Sequence, residues 1–128
     1  MKLTCLDLEE ILRLHHQIIE DYGGSHGVRD EGRLESVVEA PLQEAFGTEQ
    51  YASLFEKAAV YLRNIIGDHP FIDGNKRTAL TVCGVFLLRN KHMLNAKPIV
   101  LEDFTVSIAN DHLNILTIAA WLEAHTKQ

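Results

Sequence analysis

Nine consecutive residues, His69 to Arg77, carry the side chains best suited to chemistry in this 128-residue sequence. They read His-Pro-Phe-Ile-Asp-Gly-Asn-Lys-Arg and combine a base that titrates near neutral pH, a carboxylate, an amide and two cations. The run lies where a loop enters an apolar helix. A helix N-terminus offers unpaired N–H groups and a positive dipole end, which suit an anion. The segment therefore predicts a phosphate site, with proton-transfer chemistry beside it and charge neutralisation by Lys76 and Arg77.

The other side chains of this segment suggest individual roles. His69 can accept the proton of an attacking hydroxyl, which is a poor nucleophile until that proton leaves. Asp73 offers hard oxygen ligands of the kind that Mg²⁺ prefers. Gly74 lets the backbone approach an anion closely, and Asn75 suits either a phosphate oxygen or a helix cap.

Each of these residues also has a purely structural interpretation. A lone histidine before proline is usually structural or solvated, Asp or Asn at a helix start is usually a cap, and adjacent cations usually form a solvated face. All of these structural interpretations would have to be true at once within nine residues, so the combination favours a functional site. The segment lacks the glycine spacing of a Walker A loop, and the remaining histidines form no zinc pattern. His15 falls on an apolar stripe and is expected to be a buried core histidine.

Composition narrows the possible functions. The net charge of −6 argues against a general nucleic-acid binder, which needs a basic surface. With 46% hydrophobic and 23% charged residues, the chain resembles a soluble globular protein, and its length suits one domain, residues 1–128. Cys5 and Cys83 form no disulfide or zinc pattern, Cys83 is expected to be a buried thiol, and a reducing cytoplasm fits. No signal peptide or apolar stretch of about 20 residues is visible, so no membrane association is expected.

The hydrophobic spacing predicts an all-α fold, a compact bundle of about six helices with a buried central helix. The first helix is expected to begin at a capping pair, Thr4 and Asp7, and to end at Gly23-Gly24. The second helix should start at Asp30 and end at Pro41.

The remaining helices follow the same spacing. The third is expected from about residue 51 to residue 66, with Gly67 ending it. The fourth begins near Asn75, and because its middle is apolar all round we expect it at the centre of the domain. The fifth and sixth are expected over about 102–109 and 113–124. Residues 42–50 have mixed character and predict a mobile loop or flap. Phe71 and Ile72 should anchor the segment His69 to Arg77, called the functional segment below, in the core.

The segment His69 to Arg77 closely resembles the signature of the Fic/Doc family, in its Doc toxin branch. The resemblance extends to Tyr22–Asp30, to Arg33–Ser36 and to Thr78–Leu80, and it covers about residues 3–90. It implies a compact Fic/Doc-like all-α domain in which the segment lies at a helix N-terminus.

The resemblance also implies the roles of site residues. His69 would be the general base toward a hydroxyl of a target protein, and Asp73 the Mg²⁺ ligand. Gly74, Asn75, Lys76 and Arg77 would surround the phosphates of ATP. The flap at residues 42–50 would position the target segment.

The function implied is that of a cytoplasmic toxin of a type II toxin–antitoxin system. Such a protein is a kinase that transfers the γ-phosphoryl group of ATP to elongation factor Tu and inhibits translation. Lys76 stands where Fic adenylyltransferases usually carry glycine, which favours the kinase. Asp73-Gly74 is closer to the adenylyltransferases, so adenylylation of a target hydroxyl stays an alternative.

Two other interpretations are a non-enzymatic partner-binding module and, disfavoured by the acidic balance, a nuclease. No inhibitory motif of the kind that some Fic proteins carry is found within the chain, so a separate antitoxin is the expected partner.

Overall fold

Helix α3, which spans Leu54–Asp68 in the computed structural model, is the element on which the rest of the fold packs. The structure describes residues 3–128. Residues 58–62 together with Ile65 and Ile66 are at most 1% exposed, so almost the whole middle of α3 is buried. Four other helices contact it. A buried central helix is present as predicted, but it is the third helix, α3, and not the fourth helix for which it was predicted.

Five further helices occur within residues 3–128, four of them in contact with α3. They are α1 (Leu8–Tyr22), α2 (Glu31–Glu39), α4 (Asn75–Arg89), α5 (Pro98–Asp111) and α6 (Ile115–Ala124). A 3-10 turn at Ala40–Leu42 follows α2, and Pro41 lies in it. The six helices confirm the predicted all-α bundle.

Two pairs of very short antiparallel strands were not predicted. Strands β1 (Glu44–Ala45) and β2 (Thr48–Glu49) form a hairpin, and β3 (Met93–Leu94) pairs with β4 (Thr126–Lys127) near the C-terminus. Strands of two residues leave too little alternation for the sequence to reveal them.

Helix α1 begins one turn later than the Thr4–Asp7 pair predicted. Its N-cap is Asp7, whose Oδ1 accepts the Glu10 N–H at 2.9 Å, while Glu10 Oε1 accepts the Asp7 N–H at 3.1 Å. This is a complete capping box. Thr4 instead donates its N–H to the Asn90 side chain at 2.9 Å, which ties the start of the chain to the end of α4. Thr4 does not cap the helix, because its backbone N–H is bound by the Asn90 side chain and not by the side chain of Asp7.

The boundaries of α3 also differ from the prediction. It begins after Ser53, whose side chain accepts the Glu56 N–H, rather than at residue 51. Gly67 does not end it: the helix continues to Asp68 and stops at His69, which adopts a left-handed conformation with φ 47°. A left-handed residue is a common helix terminator, and here a histidine takes the position usually held by glycine.

The last two helices also begin at residues other than those predicted, because local residues set where each one starts. Helix α5 begins at Pro98, four residues earlier than predicted, because proline suits the first helical position. Helix α6 begins at Ile115 rather than residue 113, because the Asn114 side chain caps it by accepting the Thr117 N–H at 2.9 Å.

Helix α4 is less buried than its apolar middle predicted. It buries Ala79, Val82, Cys83 and Phe86 completely, but Leu88 is 59% exposed. The prediction that α4 is buried on every face is therefore wrong, since only α3 has neighbours all round. The buried thiol predicted at Cys83 is confirmed, and burial raises its pKa to about 12.

The predicted flap is a structured hairpin whose base is fixed by a buried lysine. Lys57, on α3, is only 3% exposed. Its Nζ donates to the Pro41 carbonyl at 2.5 Å and to Glu49 Oε1 at 3.1 Å. Pro41 precedes the hairpin and Glu49 lies in β2, so one ammonium group holds both of its ends. Phe46, at the tip, is fully exposed.

We expect Lys57→Met to lower the free energy of unfolding by about 1–3 kcal/mol, because it leaves the buried Pro41 carbonyl without its donor. Glu49→Gln is the matched control. Glu49 is half exposed and its amide would still accept, so we expect a loss below about 1 kcal/mol. Urea denaturation of both variants measures the difference, and equal losses would contradict the assignment of Lys57 as the anchor.

Candidate active site

The N-terminus of α4 is open. Gly74, in a left-handed conformation with φ 75°, occupies the N-cap position, and no side chain among residues 3–128 caps the helix. By contrast, side chains cap α1, α2, α3 and α6. The first N–H groups of α4 are therefore left for water or a ligand, at the positive end of the helix dipole. A Cβ at Gly74 would also lie 3.0 Å from Ile19 Cδ1, so both the conformation and the space favour glycine.

Asp73 joins the functional segment to the loop that follows α1. Its Oδ1 accepts the Gly74 N–H at 2.9 Å, and its Oδ2 accepts the Ser25 N–H at 3.1 Å. A Cβ on Gly24 would come within 2.7 Å of Oδ2, so this close approach requires glycine. A carboxylate has about four acceptor positions, and two are used here. The exposed Asp73 thus keeps capacity for a cation.

The buried side chain of His15 binds the backbone of Asp73. Its ring stacks on Phe71 with centroids 3.8 Å apart, and its Nε2 lies 2.9 Å from the Asp73 carbonyl oxygen. Because a carbonyl only accepts, Nε2 carries the proton. His15 is 4% exposed, and burial lowers its pKa, with the neighbouring His26 and His16 acting in the same direction. The prediction that His15 is a buried core histidine is confirmed.

The Asn75 side chain stabilises the backbone turn of the functional segment by binding Phe71. Its Oδ1 accepts the Phe71 N–H at 3.1 Å, and its Nδ2 donates to the Phe71 carbonyl at 2.9 Å. Phe71 is fully buried and anchors the loop as predicted. Ile72 does not, because its side chain is 56% exposed and lies against Gly27 instead.

His69 and the start of α4 line one cavity of about 400 Å³. The predicted site residues His69, Asp73, Gly74, Asn75, Lys76 and Arg77 all line it, so the fold brings the six together. Ile18, Tyr22, Gly23 and Ile72 complete the wall. The only charged side chains on this wall are one carboxylate and two exposed cations, so the cavity suits an anion.

Tyr22 is a site residue that the sequence did not reveal. Its side chain is 62% exposed, and the Arg77 guanidinium lies 4.0 Å from its ring centroid. This is cation–π geometry, which holds Arg77 at the cavity wall. The signals available beforehand were its place just before Gly23-Gly24, at the end of α1, and its inclusion in the Tyr22–Asp30 stretch that resembles the family.

Two other cavities also meet at His69. One, of about 510 Å³, lies between the end of α3 and the turn joining α5 to α6, and includes Arg63 and His112. The other, of about 400 Å³, includes Arg33 and Asp68. The residues lining all three come from segments other than 42–50, so among the described residues the hairpin does not line these cavities. His69 is accessible from several sides.

Comparison with known proteins assigns this arrangement to a family. A family model described as Fic/DOC family matches residues 5–87, which include α1 to α3, the functional segment and most of α4. The chain belongs to the Fic/DOC family. No group of three or more possible metal-binding side chains occurs within residues 3–128, and no helix there is long and apolar enough to cross a membrane.

Two relatives fall within the Doc part of the family by name. "Protein kinase doc" of Escherichia phage P1 is 37% identical over 111 residues, which cover 87% of this chain and 86% of that protein. "Toxin Doc" of Mycolicibacterium smegmatis (strain ATCC 700084 / mc(2)155) is 38% identical over 93 residues, 73% of this chain and 67% of that protein. The resemblance read from the His69 to Arg77 segment is thereby confirmed.

We expect His15 to make the stability of the fold depend on pH. Its pKa is lowered by folding, so below its ordinary value of about 6.5 the unfolded chain binds a proton that the folded chain resists. Its contribution is complete above that value and is lost as the pH falls through it. His15→Gln removes this titration and keeps a donor for the Asp73 carbonyl. Urea denaturation at pH 7.5 and 5.5 should show a smaller pH effect in the variant, and an equal pH effect would contradict the prediction.

Proposed function

We propose that this chain is a Doc-type toxin acting as a protein kinase, which transfers the γ-phosphoryl group of ATP to a hydroxyl side chain of a target protein. The expected target is elongation factor Tu, and its modification would inhibit translation. One observation carries the proposal: a histidine and an uncapped helix N-terminus with two cations line the same cavity. That arrangement supplies a base and an anion site within reach of one substrate.

The names of the relatives support both parts of the proposal. One relative that shares most of its length with this chain is named a protein kinase, and another is named a toxin. By the same reasoning we propose a cognate antitoxin as partner, the cytoplasm as location, and residues 1–128 as one Fic/Doc-like domain. One cluster of buried side chains has members from all six helices, which supports that last point.

The proposed reaction begins at His69. Its imidazole accepts the proton of the target hydroxyl, whose oxygen then forms a bond to the γ-phosphorus. The bond between that phosphorus and the oxygen bridging it to the β-phosphate breaks, and ADP leaves with the electron pair. Lys76, Arg77 and the free N–H groups of α4 stabilise the negative charge on the phosphates.

Asp73 fits the proposed role of Mg²⁺ ligand. It is exposed, and its carboxylate keeps free acceptor positions beyond the two N–H groups it binds. Mg²⁺ is commonly held by one or two carboxylates together with substrate phosphates and water, so a single Asp is sufficient on the protein side. The ion would neutralise phosphate charge when bound. Asn75, Gly74, Lys76 and Arg77 are the proposed phosphate contacts, although the Asn75 amide already binds Phe71.

Lys76 bears on which phosphorus is attacked. It is exposed in the first turn of α4, where the adenylyltransferases usually have glycine. We propose that its bulk and charge favour the pose in which the γ-phosphate, rather than the α-phosphate, lies nearest His69. Asp73-Gly74 is the feature closer to the adenylyltransferases, so the experiment below includes that product.

We expect purified elongation factor Tu to gain one phosphate when it is incubated with this protein, ATP and Mg²⁺. ATP labelled at the γ-phosphorus should transfer its label, and ATP labelled at the α-phosphorus should not. Intact-mass analysis distinguishes a phosphate from an AMP group. Transfer of the α-label would favour adenylylation, and no mass gain on any target would favour a partner-binding module.

His69→Ala should slow label transfer on the order of 10²–10⁴-fold, the contribution expected of a general base. It should also relieve toxicity on expression. His92→Ala is the matched control. His92 follows the opposite end of α4, about 20 Å from Gly74 along a helix of this length, and contacts Phe55 edge-on. We expect it to retain transfer. Unchanged toxicity of the His69 variant would contradict the mechanism.

A further inference from the structure

We propose that Arg29 is a positioning residue that holds His69 in place at the end of α3. This inference rests on the proposed role of His69 as the base. Arg29 lies in the loop before α2, forty residues away in sequence, and its side chain reaches the last carbonyl groups of α3.

The contacts are short and paired. Arg29 Nε donates to the His69 carbonyl at 2.6 Å, and Arg29 Nη2 donates to the Asp68 carbonyl at 2.7 Å. A guanidinium group presents its N–H donors in a rigid planar fork, so one side chain can bind two consecutive carbonyls. Both carbonyls belong to the C-terminal end of a helix, where the dipole also favours a cation.

The backbone of the same loop adds to this hold. The N–H groups of Arg29 and Asp30 both donate to the Pro70 carbonyl, at 2.8 and 3.2 Å. Asp68, His69 and Pro70 are thus all bound by this one loop. Each of them accepts a hydrogen bond from it at its backbone carbonyl.

His69 depends on this support for two reasons. Its backbone is in the left-handed region, with φ 47°, which a histidine rarely adopts and which surrounding contacts must maintain. Its ring makes no hydrogen bond to any of residues 3–128, so the position of the imidazole follows from the position of its backbone. Arg29 is the side chain that binds that backbone directly.

Arg33 offers a matched control from the same neighbourhood. It lines the same cavity as Arg29 but pairs with carboxylates, those of Asp30 at 3.4 Å and Asp68 at 3.5 Å. It therefore has the same charge and a similar location without a contact to the His69 carbonyl. Arg29→Met and Arg33→Met remove the same charge and leave side chains of the same shape.

The first test observes His69 itself. The imidazole Cε1–H signal, identified by its absence in His69→Ala, is followed by NMR in the full-length protein without nucleotide. We expect it to shift or broaden in Arg29→Met and to stay in place in Arg33→Met. Arg29→Lys should lie between them, because an ammonium group binds the two carbonyls one at a time. A His69 signal that is unchanged in Arg29→Met, or that moves equally in Arg33→Met, would overturn the proposal.

The second test measures transfer to elongation factor Tu. We expect kcat in Arg29→Met to fall by up to about 10²-fold, the effect of misplacing a reacting group by about 1 Å, with KM for ATP little changed. Arg33→Met should keep both values. A fall that merely follows the folded fraction, measured by circular dichroism, would reduce Arg29 to a structural residue and overturn the proposal. If the wild-type protein transfers nothing, the kinase proposal fails, while the NMR result still decides whether Arg29 positions His69.

Discussion

The functional segment has no regular structure of its own between α3 and α4, and it takes its shape from the loop at residues 24–30. That loop binds it at four successive places: the Ser25 N–H contacts Asp73, the Gly27 carbonyl accepts the Ile72 N–H, and Val28 pairs with Phe71. Arg29 completes the series at Pro70 and His69. This pairing fixes residues 69–73, which include His69 and Asp73, while Lys76 and Arg77 are carried by the first turn of α4. Two segments about forty residues apart in sequence therefore form one unit.

Within this unit the polar groups fall into two sets. The His15 ring and the Asn75 amide are used up in holding the backbone of the turn, through Asp73 and Phe71. His69, Lys76 and the uncapped N-terminal residues of α4 line the cavity. Buried polar groups need partners, and the first set has them inside the protein. The second set is left to be satisfied by water or by a phosphate-bearing substrate.

The electrostatic character of the site is local. The chain carries a net charge of −6, yet the turn that opens α4 carries Lys76 and Arg77 and the positive end of a helix dipole. Tyr22 holds the Arg77 guanidinium against the same wall. A phosphate would therefore find a small positive site on an otherwise acidic protein. Such a site suits a phosphate-bearing ligand, while the acidic balance of the whole chain disfavours nucleic acid in general.

The sequence by itself determined the helical class and indicated the His69–Arg77 segment as a candidate site, because hydrophobic periodicity and a nine-residue segment are local properties. It also predicted the cap at Asp30 and the buried His15. It could not determine where Ile72, Leu88 and Tyr22 point, since exposure depends on which neighbour covers each face. Nor could it show that Asn75 is bound to Phe71 or that the 42–50 hairpin is anchored by Lys57. The Asn75 contact is local but depends on the turn that the rest of the fold imposes. The hold of Lys57 on Pro41 spans 16 residues and that of Arg29 on His69 spans 40, and only tertiary packing brings these residues together.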